Sequence, residues 1–295
     1  MVVNLEAGEY FFHYTTRDAA FGSILPNRTL RLSSYGKMRD PLENQPWRFT
    51  FAGYGERDDA ALAADLQRYD QFEQKANKSI RDCSHLLSLT VDAEPSPGGE
   101  QEPFCRGWAR ARMWEQYAEN HRGVCLVFDR KQLAQSIEES LTRIGFNALY
   151  HQAVIYDGGR IESPLIDWND LDESDFFVRY IETNRGALFF KKTLDWETEH
   201  EYRFVAISQD ESSLSIDYGH SLTAVIVGEQ LLQWEHPSVI AACHEAEADP
   251  LLMKWKNRRP GLIKLNDEMT RPRDEQGRPG PPAVLPLADG AQPAG

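Results

Sequence analysis

The sequence predicts a mixed α+β domain whose core is a mainly antiparallel sheet with helical insertions. Strand and helix patterns are irregularly interspersed along the chain, which does not fit a regular βαβ winding. Three strand patterns follow one another closely in the C-terminal half, separated by short polar turns. Apolar residues make up 41% of the 295 residues, so the chain can bury a core.

The first elements are predicted from short local patterns. Glu9–Tyr14 is an aromatic strand, and Thr16 then caps a short helix that ends before Pro26. Leu30–Ser33 alternates apolar and polar residues, as a half-buried strand does.

Longer helices and buried strands follow through the middle of the chain. Apolar residues recur at helical spacing over 62–80, 108–117, 133–144 and 177–188, which predicts four helices. Strands are predicted over Leu86–Val91, Gly123–Phe128 and Ala148–Tyr156.

The C-terminal part is predicted to be rich in strands. These are Glu201–Ile207, Leu214–Tyr218 and Leu222–Val227, with a last candidate at Leu262–Leu265. Between them, Pro237 occupies a favourable first-turn position for a helix that runs to about Glu247.

A change of composition near residue 266 predicts the domain boundary. The segment from Asn266 to Gly295 holds six prolines and four glycines and few large apolar residues. Such a segment buries too little surface to offset its ordering entropy. We therefore expect a single domain over 1–265 and a disordered tail over 266–295; a Pro-rich docking ligand is the alternative for the tail.

Charge and cysteine content exclude several classes of function. The 32 basic and 46 acidic residues give a formal charge of −14, which argues against a broad nucleic-acid-binding surface but not against a local basic pocket. The four cysteines form no CxxC pair, so neither a disulfide scaffold nor a zinc site is indicated. With no membrane-spanning pattern and no signal pattern, we expect a cytoplasmic protein.

Polar residues at the ends of the first two strands are candidates for a ligand cleft. His13 ends an aromatic strand and is followed by Tyr14 and Thr15, while Ser33 ends the second strand. If the two strands pair, these side chains offer neutral donors to sugar hydroxyls. The alternative for His13 is a hydrogen-bonded core residue.

The loop after the second strand carries a pair of carboxylates. Asp40 and Glu43 stand beside Pro41, where such residues usually cap or end a loop. As a functional pair they could accept hydrogen bonds from a ribose or orient a basic side chain.

The segment over 106–125 combines aromatic and basic residues. Trp114 and Tyr117 have helical spacing, which is typical of core residues as well as of a ligand platform. Arg106, Arg110 and Arg112 form either a solvated face or a patch that faces phosphate.

The entry into a late strand carries the candidate catalytic carboxylates. Glu199, Glu201 and Arg203 share strand parity and should project to one face. This pattern forms either a surface salt-bridge ladder or a catalytic edge, and Lys191 and Lys192 add basic charge nearby. A carboxylate so placed could stabilise positive charge developing on a sugar carbon.

These motifs, taken in order, resemble the prokaryotic domain-of-unknown-function family 2971 over about residues 10 to 230. The motifs are His13-Tyr14-Thr15, Leu30-Arg31-Leu32-Ser33, Asp40-Pro41-Leu42-Glu43, Met113-Trp114-Glu115-Gln116-Tyr117, Arg122-Gly123-Val124-Cys125, and Trp196 with Glu199-His200-Glu201-Tyr202-Arg203. Arg39 departs from the pattern, since the family more often has Asn there.

A further resemblance, to ADP-ribosyltransferases, implies an ADP-ribosyltransferase-like fold and a set of residue roles. It implies that NAD is the cofactor, that His13 contacts its adenosine-side ribose, and that Tyr117 or Trp114 stacks on nicotinamide. Glu201, or alternatively Glu199, would stabilise the ribosyl cation. We assign His13, Tyr14, Thr15, Ser33, Trp114, Tyr117 and Arg203 to cofactor binding and expect no metal ligands.

The resulting functional expectation is transfer of ADP-ribose from NAD to a macromolecular acceptor, a protein or an RNA. Such an activity would suit a toxin or a phage-defence effector. The first alternative is a non-catalytic sensor or adaptor that binds a nucleotide or a protein in the same cleft. A phosphodiesterase or nuclease that uses the carboxylates and a metal is a third hypothesis, which the lack of tight Asp/His clusters disfavours.

Overall fold

The fold was analysed in a computed structural model. It describes residue 5 and residues 7–52, 58–95, 102–144, 148–157, 165–167, 173–208 and 214–266. The predicted disordered tail therefore lies outside the described residues, apart from Asn266.

Fourteen strands occur in the residues that the structure describes, and ten of them belong to one sheet. They are β1 Tyr10–Thr15, β2 Thr29–Ser34, β3 Thr50–Ala52, β4 Ser84–Thr90, β5 Val124–Asp129, β6 Ala148–Ala153, β7 Ile155–Tyr156, β8 Leu165–Asp167, β9 Lys191–Lys192, β10 Glu201–Ile207, β11 Leu214–Asp217, β12 Leu222–Val227, β13 Asp249–Lys256 and β14 Arg259–Lys264.

Seven α-helical segments accompany the strands in the described ranges. They are α1 Arg17–Ala19, α2 Leu25–Asn27, α3 Asp59–Asn77, α4 Ala111–Gln116, α5 Arg130–Arg143, α6 Glu173–Phe189 and α7 His236–Glu245. A π-helical turn over Ala20–Ile24 joins α1 to α2. None of the helices described is both long and apolar enough to cross a membrane.

The main sheet has ten strands and is almost entirely antiparallel. Its central path runs in the order β11-β2-β4-β1-β5-β12-β13-β14, and β10 pairs with β4 and β6. The exception is β12 with β13, which are parallel because α7 forms the crossover between them. The predicted fold class, a mixed α+β domain with a mainly antiparallel sheet, is confirmed.

The sheet divides at β4, and this division positions the candidate site. Along one edge, β4 pairs with β10 over its whole length, from Ser84 to Thr90. On the other edge, β1 pairs with β4 only at Thr90, and β2 pairs only at Leu86 and His85. The edge at 87–89 is thus left open between two diverging strands.

Three apolar clusters hold the sheet and its helices together. The largest packs α5 and α7 against one face through residues such as Leu133, Ile137 and Val239. A second cluster packs α3 and α6 over β4 and β10, with Phe72 and Tyr180 among its members. A third surrounds Trp108 and Trp114 beside β1 and β5.

Several element boundaries differ from those predicted. The first helix does not end before Pro26, because Pro26 stands in the first turn of α2, a position that tolerates proline. The chain reverses instead at Arg28, whose φ is 54°. The predicted strand over Ala148–Tyr156 is divided into β6 and β7, which pair with different partners, β10 and β9.

Candidate functional site

A cavity of about 280 Å³ opens where β1 and β2 diverge from β4. Its wall includes Leu86–Thr90 of β4, the strand edge that the division leaves open. Its polar lining comprises His13, Tyr14, Arg31, Ser33, Lys37, Arg39, Asp40, Glu43, Ser88, Thr90, Tyr117, Lys192, Glu199, Glu201 and Arg203. The division of the sheet therefore creates the concave surface that a ligand site needs.

Alternation along β10 directs two charged side chains into this cavity. Tyr202 and Phe204 face the largest apolar cluster, as the parity of the strand predicted. Glu201 and Arg203 project to the opposite face and are both buried. Charges buried to this degree need partners, because each has lost its hydration.

Arg203 and Lys192 supply those partners to Glu201. The Arg203 guanidinium donates to both carboxylate oxygens, with Nε 2.6 Å from Oε1 and NH2 3.0 Å from Oε2. Lys192 Nζ lies 3.0 Å from the same Oε2. The backbone N–H of Glu201 donates to the Tyr156 hydroxyl at 2.8 Å, which fixes the start of the strand.

The two cations keep the Glu201 carboxylate ionised. Burial alone would raise its pKa, but Arg203 and Lys192 outweigh the loss of hydration and lower the pKa to about 2. Glu201 therefore carries a full negative charge across the physiological pH range, held in a fixed orientation by two cationic side chains.

Glu199 also contacts Lys192, but from a different secondary-structure element than the predicted one. It does not lie in a strand: it ends a 3₁₀ helix over Leu194–Glu199, and His200 then adopts a left-handed conformation with φ 44°. Strand parity with Glu201 was therefore the wrong reason for placing the two carboxylates together. Glu199 Oε2 accepts from Lys192 Nζ at 2.9 Å, so Lys192 bridges both glutamates.

Tyr117 joins this network through its hydroxyl group, which donates to Glu199 Oε1 at 2.9 Å. The Arg39 guanidinium lies over the Tyr117 ring, 5.0 Å from its centroid. Burial and the neighbouring Glu199 raise the pKa of Tyr117, so the phenol stays protonated and acts as a donor. One face of an aromatic ring thus carries a cation at the mouth of the cavity.

His13 is a neutral imidazole in this cavity. Burial lowers its pKa to about 4, against the opposing effect of its hydrogen bond to the backbone of Ser88. That bond ties His13 to the open part of β4. A neutral ring has one donor and one acceptor; the hydrogen bond that raises the pKa is the one in which His13 donates to the Ser88 carbonyl, so the other ring nitrogen is left as an acceptor for a sugar hydroxyl.

Acid is expected to destabilise the protein through His13. The unfolded imidazole takes up a proton near pH 6.5 and the folded one near pH 4, so stability falls as the pH drops through this window. At 1.36 kcal/mol per pKa unit, the loss between pH 7 and pH 4 is about 3 kcal/mol.

Urea unfolding at the two pH values measures this effect. His13→Gln should lose about 3 kcal/mol less than the wild type over the same pH range. The control is His220→Gln, which removes an exposed imidazole outside the cavity and should unfold as the wild type does. An equal pH dependence in His13→Gln and wild type would show that folding does not lower the pKa of His13.

Most of the residues assigned from the sequence line this cavity, and two do not. His13, Ser33, Tyr117, Glu199, Glu201 and Arg203 are brought together. Tyr14 borders the cavity, but its ring packs in the third apolar cluster and its hydroxyl group donates to the carbonyl of Gly107 at 2.6 Å. Trp114 belongs to the third apolar cluster, fully buried, and its indole N–H donates to the carbonyl of Trp108 at 2.8 Å. Thr15 pairs with Val124 in the sheet and lies away from the cavity. The expected pairing of β1 with β2 does not occur; both pair with β4 instead.

The arginines over 106–112 do not form the phosphate-facing patch that was considered. Arg106 is buried against Asp92, with NH2 3.2 Å from Oδ2. Arg110 is also buried and donates to the carbonyl of Cys105. Arg112 lies over the Trp196 ring and donates to the carbonyl of Asp195.

Several residues of the site had no role assigned from the sequence, and four of them illustrate why. Lys192 was noted only as nearby basic charge, yet it bridges two glutamates and lies over the Trp196 ring. No local sequence pattern pointed to a site role for Tyr156, Arg31 or Lys37. Each of them reaches the site only through long-range strand pairing or a turn. In the part of the chain that is described, no group of three or more His, Cys, Asp or Glu side chains could hold a metal ion.

Comparison with known protein families gives one match. Residues 113–204 match the family described as a protein of unknown function, DUF2971, which confirms the family resemblance over this segment; the motifs at residues 13–43 lie outside the match. This segment contains Tyr117, Lys192, Glu199, Glu201 and Arg203, and thus much of the cavity wall. Neither the curated proteins nor the solved structures gave a match to the chain.

Proposed function

We propose that this protein is an ADP-ribosyltransferase-like enzyme that cleaves the nicotinamide bond of NAD and passes ADP-ribose to a protein or RNA acceptor. In a cell, such an activity would serve a toxin or a phage-defence effector. The proposal depends on the division of one antiparallel sheet at β4 and on the cavity that this division opens.

One observation carries the proposal: His13, Tyr117 and Glu201 line a single cavity. They come from β1, the end of α4 and β10, which are far apart in sequence. They supply, in order, a neutral acceptor for a ribose hydroxyl, an aromatic face for nicotinamide and an ionised carboxylate. These are the groups that the proposed reaction needs at one place.

The charge of Glu201 suits the proposed chemistry. When nicotinamide leaves, positive charge develops on the anomeric carbon of the ribose, and a fixed carboxylate near that carbon stabilises it. The bond from that carbon to the pyridinium nitrogen breaks, and its electron pair stays on the nitrogen, so that nicotinamide leaves as a neutral molecule. A nucleophilic atom of the acceptor then bonds to the carbon and loses its proton.

Release of nicotinamide from NAD tests the proposal. The full chain is incubated with NAD, with and without a cell lysate as a source of acceptors, and nicotinamide is quantified by chromatography. NAD labelled in the adenosine part should transfer its label to a macromolecule in the lysate. If neither nicotinamide release nor label transfer exceeds the background with lysate present, the transferase proposal is wrong.

A binding module is the second candidate, and a specific contact favours it. Both oxygens of Glu201 already accept hydrogen bonds from Arg203, and one also lies 3.0 Å from Lys192. A carboxylate so fully occupied is available to a ligand only if one of these bonds is released. A sensor that binds NAD or ADP-ribose in the cavity without turnover would show saturable binding by calorimetry and no nicotinamide release.

A further inference from the structure

Glu43 is a buried carboxylate that faces Arg203 from the turn after β2. Its Oε1 lies 2.5 Å from Arg203 NH1, but this oxygen makes no hydrogen bond of normal geometry with a described residue. NH1 instead donates to the carbonyl of Phe189 at 2.7 Å. The Glu43 carboxylate thus gains the charge of Arg203 without a well-aligned hydrogen bond.

The buried ion network contains one more carboxylate than cations, because Glu43 joins the four residues already described. Arg203 and Lys192 balance Glu201 and Glu199, so a third carboxylate leaves the network one charge negative. Burial raises the pKa of Glu43, although Arg203 opposes this effect. The site thus disfavours the ionised form of Glu43, whereas it favours the ionised form of Glu201.

The mouth of the cavity has the opposite charge. Arg31, Lys37 and Arg39 line it and are exposed, in a protein with a formal charge of −14. Neither Arg31 nor Lys37 forms an ion pair with any residue that the structure describes. Cations without carboxylate partners attract an anionic ligand toward the cavity.

We propose that the Glu43 carboxylate is an internal competitor of the ligand, occupying on Arg203 the position that an anionic group of the ligand takes when it binds. The ligand chemistry that fits is a phosphate or diphosphate, since guanidinium groups bind both carboxylate and phosphate oxygens. Identifying this group with the diphosphate of NAD rests on the proposed function.

The turn that carries Glu43 closes on itself through Asp40, whose Oδ1 accepts from the backbone N–H of Leu42 at 2.8 Å. Its far end is anchored from outside, because Arg81 donates to both the carbonyl and the side chain of Asn44. Withdrawal of Glu43 from Arg203 therefore needs either a rotation of the Glu43 side chain or the loss of these two bonds. The Leu42 side chain is exposed, so an outward shift of the turn uncovers little apolar surface. Ligand binding would then exchange the Glu43 contact for a phosphate contact on Arg203.

Calorimetric titration with inorganic pyrophosphate and with ADP-ribose tests this inference. Glu43→Gln should bind both probes about tenfold more tightly than the wild type, a gain of about 1.4 kcal/mol. The comparison variant is Asp40→Asn, which removes the same charge from the same turn and the same cavity without an ion pair to Arg203, so its gain in affinity should be clearly smaller than that of Glu43→Gln. Glu43→Ala serves as the second variant where Glu43→Gln does not fold.

The outcomes separate this inference from the proposed function. Equal or weaker binding by the Glu43 variants, including no binding by any form, overturns the competitor role. Tighter binding that Asp40→Asn reproduces also overturns it, because loss of cavity charge alone would then suffice. Tighter binding confined to Glu43, in a protein that releases no nicotinamide, supports the competitor role and contradicts only the transferase proposal.

Discussion

Glu201→Gln is expected to lower nicotinamide release from NAD by about a hundred- to a thousandfold while the protein still folds and still binds NAD. Glutamine keeps the length of the side chain but lacks the negative charge that stabilises the ribosyl cation. Loss of one preorganised electrostatic contact of this kind costs about 2.7–4 kcal/mol of activation free energy. Because Glu43 remains beside Arg203, that guanidinium keeps a carboxylate partner in the variant.

Two further glutamates make the experiment specific. Glu199→Gln is made in parallel, since Glu199 shares Lys192 with Glu201 and was the alternative catalytic carboxylate. The matched control is Glu197→Gln, an exposed residue of the same 3₁₀ helix, which should keep full activity. Nicotinamide release by Glu201→Gln within fivefold of the wild type would contradict a catalytic role for Glu201.

The fold class followed from the sequence because the sheet strands carry strong local signals. Val124–Phe128 is an apolar run, and Glu201–Phe204 alternates before the apolar Val205–Ile207, so the type and position of both strands depend on neighbouring residues alone. The strand Asp249–Lys256 was not predicted, because its apolar run, Leu251–Met253, has only three residues. Pro250 precedes this run, and a Lys-Trp-Lys sequence follows it.

The division of the sheet could not be predicted from the same information. It depends on which strands share an edge of β4, and β1 and β2 are separated from β4 by about 70 and 50 residues of chain. Such long-range pairing leaves no periodic signal in either strand. The sequence therefore placed His13 and Ser33 in one cleft for an incorrect reason, a direct pairing of their strands.

The candidate site was predictable to the extent that its residues lie close together in sequence. Lys192, Glu199, Glu201 and Arg203 occur within twelve residues, and alternation in β10 explains the last two. Trp114 illustrates the limit: helical spacing does not distinguish an aromatic ring in the core from one in a cavity. The indole N–H found a backbone partner in Trp108, and this is what fixes Trp114 in the core.

Arg203→Met is expected to lower the free energy of unfolding by about 3–5 kcal/mol, the largest stability effect that we predict for a single substitution in the cavity. Removing one partner of a buried ion pair leaves the other without compensation. Here two carboxylates lose their shared cation at once, Glu201 and Glu43, and Lys192 remains only for Glu201 and Glu199. Urea unfolding at pH 7 measures the loss.

The comparison variants show whether burial of the charges causes this loss. Lys264→Met removes a cation that also pairs with a carboxylate, that of Asp249, but the two side chains are 54% and 55% exposed, so we expect less than about 1 kcal/mol. Adding Glu43→Gln to Arg203→Met should recover part of the stability, because it removes one of the two unpaired carboxylates. A loss no larger than that of Lys264→Met would contradict a buried network centred on Arg203. No recovery in the double variant would instead show that Glu201 alone depends on this cation.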